Sequence, residues 1–450
     1  MAQRVVIVGG GLAGSEAALQ LAHWGIPVDL WEQRLARAPS GGRTPAHETS
    51  QLAELVCSNS FKSTDPKRAL GLLKEELSQL ESFLIAAGMR HSLPGGAALV
   101  VDRERFSNEV TAAVQAQPLI ELRAERFAGL RDALSTGGIV ILATGPLTNG
   151  ALWDELVGLA GDDGSYFFDA TSPIVALDGV DRSVVFAQSR YDKGEGKDYL
   201  NCPLDEEEYR SFREALMRAE VYPLHAGEDY RLYEGCLPIE ELAARGEDAM
   251  RFGPLKPRGL TDPRAGRMPY AAVQLRNEDA LCNAASLVGF QTRLRQGEQE
   301  RVFRMIPGLG SVRFLRFGRM HRNSYLNAPR VLKPTLQLAA EPRLIVAGQL
   351  TGLEGYVSAI ATGLWAAVNA ALLVRSDEPL VPPEGGCLGA MLRYMTNPAH
   401  RDYAPSAFQH GMLTWLPEKM RRAAKERLIR ERAEQAWAGM RTVADRLGAG

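Results

Sequence analysis

The chain has 450 residues, of which 45% are hydrophobic and 24% charged, an ordinary globular composition with enough length for two or three domains. Its 52 Lys and Arg residues nearly balance 54 Asp and Glu residues, for a net charge of −2, which excludes a uniformly basic nucleic-acid coat protein. Five cysteines without a CxxC pair suit neither a disulfide framework nor a metal cage. We therefore expect a cytoplasmic protein with no bound metal.

The sequence predicts neither a signal peptide nor a membrane span. The first apolar run, Val5–Val8, leads directly into three glycines, which is typical of a buried strand entering a turn. The most apolar later stretch, 344–374, is interrupted by Gln349, Glu354 and Asn369, so it is too polar to span a bilayer.

The first forty residues predict a βαβ unit. Residues 4–8 form a Val/Ile run suited to a central parallel strand, 14–24 are rich in Ala and Leu, and 27–31 resume a strand. The second helical signal of this clarity comes at the far end, where 420–445 interleave Arg and Lys with Ala and Leu and predict an amphipathic surface helix.

Two later apolar runs have the character of the first strand. They cover 138–143 and 343–347, and each leads into a glycine, Gly145 and Gly348. Buried strands that end in glycine turns predict one parallel sheet assembled from distant segments.

The sequence between these two runs changes in texture and predicts an inserted domain. From about 181 to 330 it is charged, aromatic and punctuated by proline, without regular βα alternation. We predict a first part of a nucleotide-binding domain over 1–180, an inserted substrate domain over 181–330, and a second part of the nucleotide-binding domain, with the C-terminal helix, over 331–450.

A dinucleotide signature follows the first strand. Gly9, Gly11 and Gly14 stand in GxGxxG register, where they permit a tight turn, a close backbone approach to pyrophosphate, and close packing of helix on strand. The helix N-terminus offers free N–H groups to phosphates, and Glu32 ends the next strand, where it can accept hydrogen bonds from a ribose. The alternative is a glycine turn made for packing alone.

Later segments favour FAD over NAD. Residues 139–146 resemble the ATG segment of flavoproteins with two dinucleotide folds, and 344–363 resemble their late strand–turn–helix segment, whose helix N-terminus faces the flavin. A helix N-terminus stabilises the negative charge of a reduced flavin. The predicted fold class is α/β, with a Rossmann-like FAD-binding domain of the GidA-like type and an inserted α+β domain; the alternative for 344–363 is a buried core helix.

Two cysteines and a basic stretch add chemistry. Cys57 lies in a small polar stretch after an apolar one, and Cys236 lies between Gly and Leu-Pro, although a cysteine is more often a buried small hydrophobe than a nucleophile. The stretch 251–333 holds 16 Lys and Arg against 5 Asp and Glu, with arginines interleaved with aromatics, a pattern that suits phosphate contacts and base stacking. A solvated face, or a site for small polyanions such as folate glutamates, is the alternative.

Taken together, these segments resemble the folate- and flavin-dependent tRNA uracil-54 C5-methyltransferases, the TrmFO family, over nearly the whole chain. The motifs that carry the resemblance are VGGGLAGSEAA after the first strand, TPAH at 44–47, ELVCSNS around Cys57, YEGCLPIE around Cys236, FGPLKP at 252–257, GRMHRNSYLNAP at 318–329, and 347–363. A small departure is Val357, where the family often has an acidic or polar residue.

The resemblance implies C5-methylation of uridine 54 in the T-loop of tRNA. The carbon comes from 5,10-methylenetetrahydrofolate, and the reducing electrons from FADH2 that NADPH or NADH regenerates. It further implies Cys236 as the nucleophile at uracil C6, Cys57 as a base or as the thiol that handles the methylene, His321 against the folate, and Arg316 and Arg319 on the tRNA side.

The predicted cofactor site follows from the motifs and the resemblance. It consists of Gly9, Gly10, Gly11, Leu12, Ala13, Gly14, Glu32, Gly145, Gly348, Gln349 and Tyr356. No obligate protein partner is inferred.

Three rival functions remain open from the sequence. A GidA-like enzyme would use related cofactors on the wobble uridine, but that family is longer and has a large helical C-terminal domain. A non-methylating NAD(P)H–flavin reductase or oxidase, and a tRNA-binding protein whose FAD is structural, are the others.

Overall fold

The structure is a computed structural model that describes residues 3–36, 42–223, 231–401, 403–417 and 419–449. Its strands are β1 Val5–Val8, β2 Val28–Trp31, β3 Ser60–Ser63, β4 Ser92–Leu93, β5 Ala98–Val101, β6 Ile120–Arg123, β7 Ile139–Leu142, β8 Ser165–Ala170, β9 Ile174–Ala176, β10 Phe186–Ala187, β11 Tyr199–Leu204, β12 Ala271–Asn277, β13 Ala284–Leu287, β14 Phe314–Arg316, β15 Met320–Tyr325, β16 Leu344–Val346, β17 Leu353–Glu354 and β18 Ser406–Ala407. Its α-helices are α1 Leu12–His23, α2 Ala69–Gln79, α3 Phe83–Arg90, α4 Arg103–Ala116, α5 Leu130–Ser135, α6 Gly150–Ala160, α7 Glu206–Arg218, α8 Ile239–Ala244, α9 Ala249–Phe252, α10 Gln296–Phe303, α11 Ala328–Val331, α12 Tyr356–Val374, α13 Cys387–Met395 and α14 Arg422–Gly448.

The predicted parallel sheet is confirmed. Its strand order is β16-β7-β1-β2-β6, and every neighbouring pair is parallel. Val5 of β1 lies opposite Val28 on one side and Ile139 on the other. Strands β1, β7 and β16 are continuous apolar runs, as expected where helices cover both faces of such a sheet, and β7 is buried at every position.

Helices α1 and α12 pack closely together beside this sheet. A Cβ added at Gly363 of α12 would lie 2.2 Å from the backbone oxygen of Ala13 in α1, so only glycine allows this approach. Helix α12 is long and apolar enough to cross a membrane, yet 83% of its most apolar window is buried within the protein. It is the central helix of the core, where burial of its apolar surface stabilises the fold.

A second, antiparallel sheet carries the middle of the chain. Its order is β10-β11-β12-β13-β9-β14, and it has its own hydrophobic core, formed by residues from Val175 to Val312. Beside it, β8 (Ser165–Ala170) and β15 (Met320–Tyr325) form an antiparallel pair. Strand β9 of this sheet thus precedes residue 181 in the chain. The domain limits at 180 and 330 stay a prediction.

The C-terminal helix docks on the first domain through a buried carboxylate. Glu76 of α2 accepts hydrogen bonds from the amides of Cys387 and Leu388, at 2.8 and 2.7 Å, and from the Trp437 indole of α14 at 2.8 Å. One acidic side chain therefore satisfies the start of α13 and fixes α14.

Candidate functional site

A cleft of about 310 Å³ opens where β1, β7 and β16 end. Its volume is typical of small-molecule sites, and the carboxyl edge of an open parallel sheet, where the chain departs to both sides, is where such folds bind ligands. The predicted residues on its wall are Gly9, Gly11, Leu12, Ala13, Glu32, Cys57, Gly145, Cys236, His321, Gly348, Gln349 and Tyr356. Gly10, Gly14, Arg316 and Arg319 lie outside this wall.

The glycine turn after β1 has the geometry that its spacing predicts. Gly9 has a φ of +101°, and a Cβ at Gly14 would lie 1.8 Å from the Gly9 oxygen. A Cβ at Gly11 would meet nothing within 4 Å, so the backbone here is open to the cleft. No side chain caps α1 at Gly11, which leaves the first N–H groups of the helix for a ligand.

Glu32 stands beside this turn with a strong partner. Its carboxylate accepts hydrogen bonds from the Gly10 amide at 2.8 Å, the Arg34 amide at 2.8 Å and the Arg34 guanidinium at 3.0 Å. Burial alone would raise the pKa of Glu32, but Arg34 outweighs it and the pKa is lowered. The carboxylate is therefore ionised, and of its about four acceptor positions one remains for a ribose hydroxyl.

A second helix N-terminus faces the cleft from the other side. Helix α12 begins at Tyr356 after Gly355, whose φ is +93°, and no side chain caps it. Just before it, Gln349 donates a hydrogen bond to the buried carboxyl group of Glu354. Burial and the nearby Asp169 raise the pKa of Glu354 to about 8, so this carboxyl is mostly protonated at neutral pH.

The Cys57 backbone is held on both sides by distant side chains. The Cys57 amide donates to the Tyr356 hydroxyl at 2.8 Å, and its carbonyl accepts from the Arg103 guanidinium at 3.3 Å. Arg103 also donates to the carbonyl of Leu55, and its Nε lies 2.5 Å from Glu278. Because this ion pair is largely buried, it fixes the position of the loop that carries the thiol.

The residues after Cys57 are tied to the second sheet. Asn59 donates to the carbonyl of Asn277 at 2.8 Å and accepts from Arg276 Nε at 2.8 Å. Both partners belong to β12, so the Cys57 loop connects the two parts of the molecule.

Arg316 contacts this loop, and Arg319 contacts the segment before it. The side chain of Arg316 is only 11% exposed, and it donates to the carbonyls of Ala46 at 3.0 Å and Val56 at 2.8 Å. Arg319 is 45% exposed and lies 3.5 Å from Glu48. Arg316 thus stabilises the loop, and Arg319 is the more accessible cation.

The second thiol is placed by β8. The Phe168 amide donates to the Arg231 carbonyl at 2.7 Å, and the Phe168 carbonyl accepts from the Tyr233 amide at 3.3 Å. The Cys236 amide then donates to the Tyr233 carbonyl at 3.0 Å. This docking brings Cys236 against the residue that follows Phe168, Asp169, whose carboxylate interacts with the Cys236 thiol.

Both thiols are neutral at rest. Burial raises the pKa of Cys57 to about 12; Asp169 adds to the rise, while Arg103 and Lys62 oppose it. Burial also raises the pKa of Cys236, and Asp169, Cys57 and Glu354 add to this rise, which Lys62 opposes. A thiol in such surroundings needs a proton acceptor before it can act as a nucleophile.

His321 lies opposite Asp169 across the β8–β15 pair and lines the cleft. Its Nε2 is buried without a hydrogen-bond partner. Burial, with help from Arg316 and Arg319, lowers its pKa to about 4. A neutral imidazole with an unsatisfied buried nitrogen is suited to a ligand group.

These features fit a bound FAD. The uncapped start of α1 and the open backbone at Gly11 suit a pyrophosphate, Glu32 retains an acceptor for a ribose, and the uncapped start of α12 suits an electron-rich ring. Among the described residues, no group of three or more His, Cys, Asp or Glu side chains is arranged to hold a metal ion.

Several residues of the site escaped the sequence analysis. Asp169, Lys62 and Asn323 line the cleft; no local pattern marks Asp169 or Lys62, and Asn323 stands inside the quoted motif at 318–329 without a role. Glu354 stands inside a quoted motif without a role. His47, also in a quoted motif, lines the cleft with its pKa lowered to about 4 by burial and Arg34.

Comparison with known proteins bears on the family. The model of the family described as "Glucose inhibited division protein A" matches residues 4–378. A relative from Moorella thermoacetica, named methylenetetrahydrofolate–tRNA-(uracil-5-)-methyltransferase TrmFO, is 48% identical over 97% of this chain and 98% of its own. Relatives of the same name from Synechococcus sp. and Geobacter sulfurreducens are 50% and 48% identical, over 95% and 96% of this chain and 92% and 98% of theirs. The chain belongs to the TrmFO family.

The fold of this TrmFO-family chain is shared with a solved structure. GidA from Aquifex aeolicus aligns with a TM-score of 0.68 at 17% identity, over 99% of this chain and 74% of the other. The predicted family and the predicted GidA-like flavoprotein fold class are confirmed. In length the chain agrees with its TrmFO relatives, whereas the GidA chain extends beyond it.

Proposed function

We propose that the protein methylates C5 of uridine 54 in the T-loop of tRNA, with 5,10-methylenetetrahydrofolate as carbon donor. The observation that supports this most directly is the meeting of two thiols, Cys57 and Cys236, in one cleft with the dinucleotide turn. A simple flavin reductase needs no nucleophile, whereas addition of a thiol at C6 is what makes uracil C5 reactive.

FAD is the resident cofactor in this proposal. When bound and reduced, it supplies the electrons that turn a transferred methylene into a methyl group, and NADPH or NADH restores them. Gly9, Gly10, Gly11, Leu12, Ala13, Gly14, Glu32, Gly145, Gly348, Gln349 and Tyr356 form its site. The turn and α1 hold the pyrophosphate, and Glu32 accepts from the ribose.

Cys236 is the nucleophile in this proposal, and Cys57 is the second thiol. Tyr356 and Arg103 fix the backbone of Cys57 from both sides, which suits a group that must act at one defined atom. His321 offers its free ring nitrogen to the folate.

The tRNA is held by the second domain, and the target uridine is extruded from its loop into the cleft. Arg319 is the more accessible of the two arginines, and Arg316 holds the loop that carries Cys57 by donating to the Val56 carbonyl. We also infer a cytoplasmic location, where tRNA, folate and nicotinamide nucleotides are present.

The activity is tested with labelled methylenetetrahydrofolate, NADPH and an unmodified tRNA transcript. Label in T-loop ribothymidine supports the proposal. Label at the wobble base favours a GidA-like activity, and NADPH oxidation without labelled RNA favours a reductase.

The nucleophile is tested with Cys236→Ala. We expect methylation to be lost while the yellow flavin stays bound, because the thiol adds to the base and does not hold the cofactor. Cys282→Ala is the matched control, since Cys282 is exposed, and it keeps full activity. Full activity in Cys236→Ala removes this residue from the mechanism.

The tRNA contact is tested with Arg319→Ala alone. Its apparent KM for tRNA rises and the salt dependence of binding weakens, whereas an unchanged KM contradicts a phosphate contact. Arg316→Ala is expected to lower kcat in addition to its effect on tRNA binding. The carbonyls of Ala46 and Val56 lose their hydrogen-bond donor, so the loop that carries Cys57 is held less firmly.

A further inference from the structure

We propose that Asp169 is the base that takes the proton from the Cys236 thiol as its sulfur adds to C6 of the target uridine. The inference rests on the proposed role of Cys236. It adds a catalytic residue that the cysteines alone do not provide.

The geometry places this carboxylate at the reacting sulfur. Asp169 and Cys236 both line the cleft, and the Asp169 carboxylate interacts there with the Cys236 thiol. Their contact is built into the fold, because Phe168 of β8 binds the segment before Cys236 on both its amide and its carbonyl. A base within hydrogen-bond reach of the proton it removes is the first requirement of general base catalysis.

The surroundings leave Asp169 as the acceptor. Glu354, Cys57 and Lys62 interact with this pair from other elements, and His321 lies opposite Asp169. Burial raises the pKa of Asp169 to about 6, so its carboxylate is ionised at neutral pH, whereas Glu354, with a pKa of about 8, retains its proton. Lys62 lies on the cleft wall and favours the negative charge of the pair.

The step balances as follows. The Cys236 sulfur forms a bond to C6, the electron pair of the C5–C6 double bond moves toward O4 as an enolate, and the thiol proton passes to Asp169. When the sulfur later leaves C6, it keeps the bonding pair and recovers the proton from Asp169. No thiolate has to persist in the resting cleft, where buried carboxyl groups oppose it.

The strained backbone at Lys62 supports this arrangement. Lys62 has a φ of +63°, and the register between β3 and β5 shifts between Ser60 and Ser63. Such an irregularity re-aims a side chain at a cost. Lys62, at this irregularity, lies on the cleft wall.

The test uses the holoenzyme, methylenetetrahydrofolate, NADPH and a T-arm RNA with 5-fluorouridine at the target position, because fluorine cannot leave C5 as a proton does. Wild type must give an RNA adduct on Cys236 by peptide mass spectrometry; absence of the adduct, or an adduct elsewhere, defeats the proposed function itself. Given that adduct, Asp169→Asn slows its formation by about 100-fold or more.

A purely electrostatic role for Asp169 predicts the opposite sign, because removing a negative charge favours the thiolate. An adduct rate in Asp169→Asn that is unchanged or faster therefore overturns the inference and leaves the nucleophile in place. Asp169→Glu, which keeps a carboxylate, recovers part of the rate. Asp178→Asn, an exposed control, matches wild type.

The wild-type pH profile tests the same point without a variant. The adduct rate falls as the pH drops through about 6, where Asp169 gains its proton; a rate that is flat across this range contradicts the inference. Of the facing groups, Glu354 titrates at about 8 and His321 at about 4, well away from this limb.

Discussion

Tyr356→Phe removes one oxygen and thereby isolates the positioning of Cys57. The Tyr356 hydroxyl accepts the Cys57 amide hydrogen bond at 2.8 Å in a partly buried setting. Loss of the acceptor leaves this N–H unsatisfied, or forces the loop to move toward water. Because the amide is only partly buried, the cost is in the lower part of the usual range, about 1–2 kcal/mol.

This cost appears in the rate of methylation. If the working position of Cys57 becomes less favourable by about 1–2 kcal/mol, kcat falls about 5- to 30-fold, while the KM for tRNA changes little because Tyr356 lies in the cleft. The assay follows transfer of label from methylenetetrahydrofolate to tRNA under saturating conditions. Tyr222→Phe, on an exposed tyrosine, is the control.

Two results would refute this reasoning. A kcat within twofold of wild type, in a variant that retains flavin, means that the hydrogen bond does not position the thiol. A loss confined to the KM for tRNA means that Tyr356 acts on RNA binding instead.

Two further predictions concern the cofactor turn and the buried imidazole. Gly14→Ala places a Cβ 1.8 Å from the Gly9 oxygen, so α1 must shift and the ratio of flavin to protein falls severely. The control Gly158→Ala adds a Cβ that meets nothing within 4 Å, and it retains flavin. Equal flavin content in the two variants contradicts the packing argument. Since the folded pKa of His321 is about 4, the unfolded chain binds its proton first as the pH falls below 6.5, so the free energy of unfolding drops by up to about 3 kcal/mol between pH 6.5 and 4. In His321→Gln the unfolding midpoint depends less on pH over this interval, and an unchanged slope in this variant refutes the assignment.

The parts of the fold that the sequence predicts are those determined by neighbours in the chain. Strands β1, β7 and β16 are unbroken apolar runs, and the glycines after β1 are required by the local backbone conformation. Periodicity therefore suffices for them. The βαβ start and the C-terminal helix follow for the same reason.

The chemical half of the site depends on contacts between distant residues. Arg103 and Glu278, which position Cys57, are 175 residues apart. Asp169 meets Cys236 because β8 binds a segment that lies far from it in the sequence. The backbone at Lys62 is left-handed although the residue is not glycine, so its sequence does not predict this conformation. A single sequence gives no local signal for such pairs.

Arg316 illustrates how burial changes the meaning of a charge. In the sequence it is one of a series of arginines among aromatics, which suggests contact with RNA. In the fold its side chain is 11% exposed and occupied by two backbone carbonyls. Composition reports the number of cations, whereas only the tertiary structure shows which of them are free for phosphates.

The attachment of Asn59 to β12 has a mechanical consequence. Its amide group bridges Arg276 and Asn277, and Asn59 stands two residues after Cys57. A displacement of β12 in the antiparallel sheet is therefore passed to the Cys57 loop without crossing the parallel sheet. Under the proposed function, tRNA bound to the antiparallel sheet is thus expected to affect the position of the Cys57 thiol. Substitutions in β12 that break these two hydrogen bonds are expected to slow turnover while tRNA binding is retained.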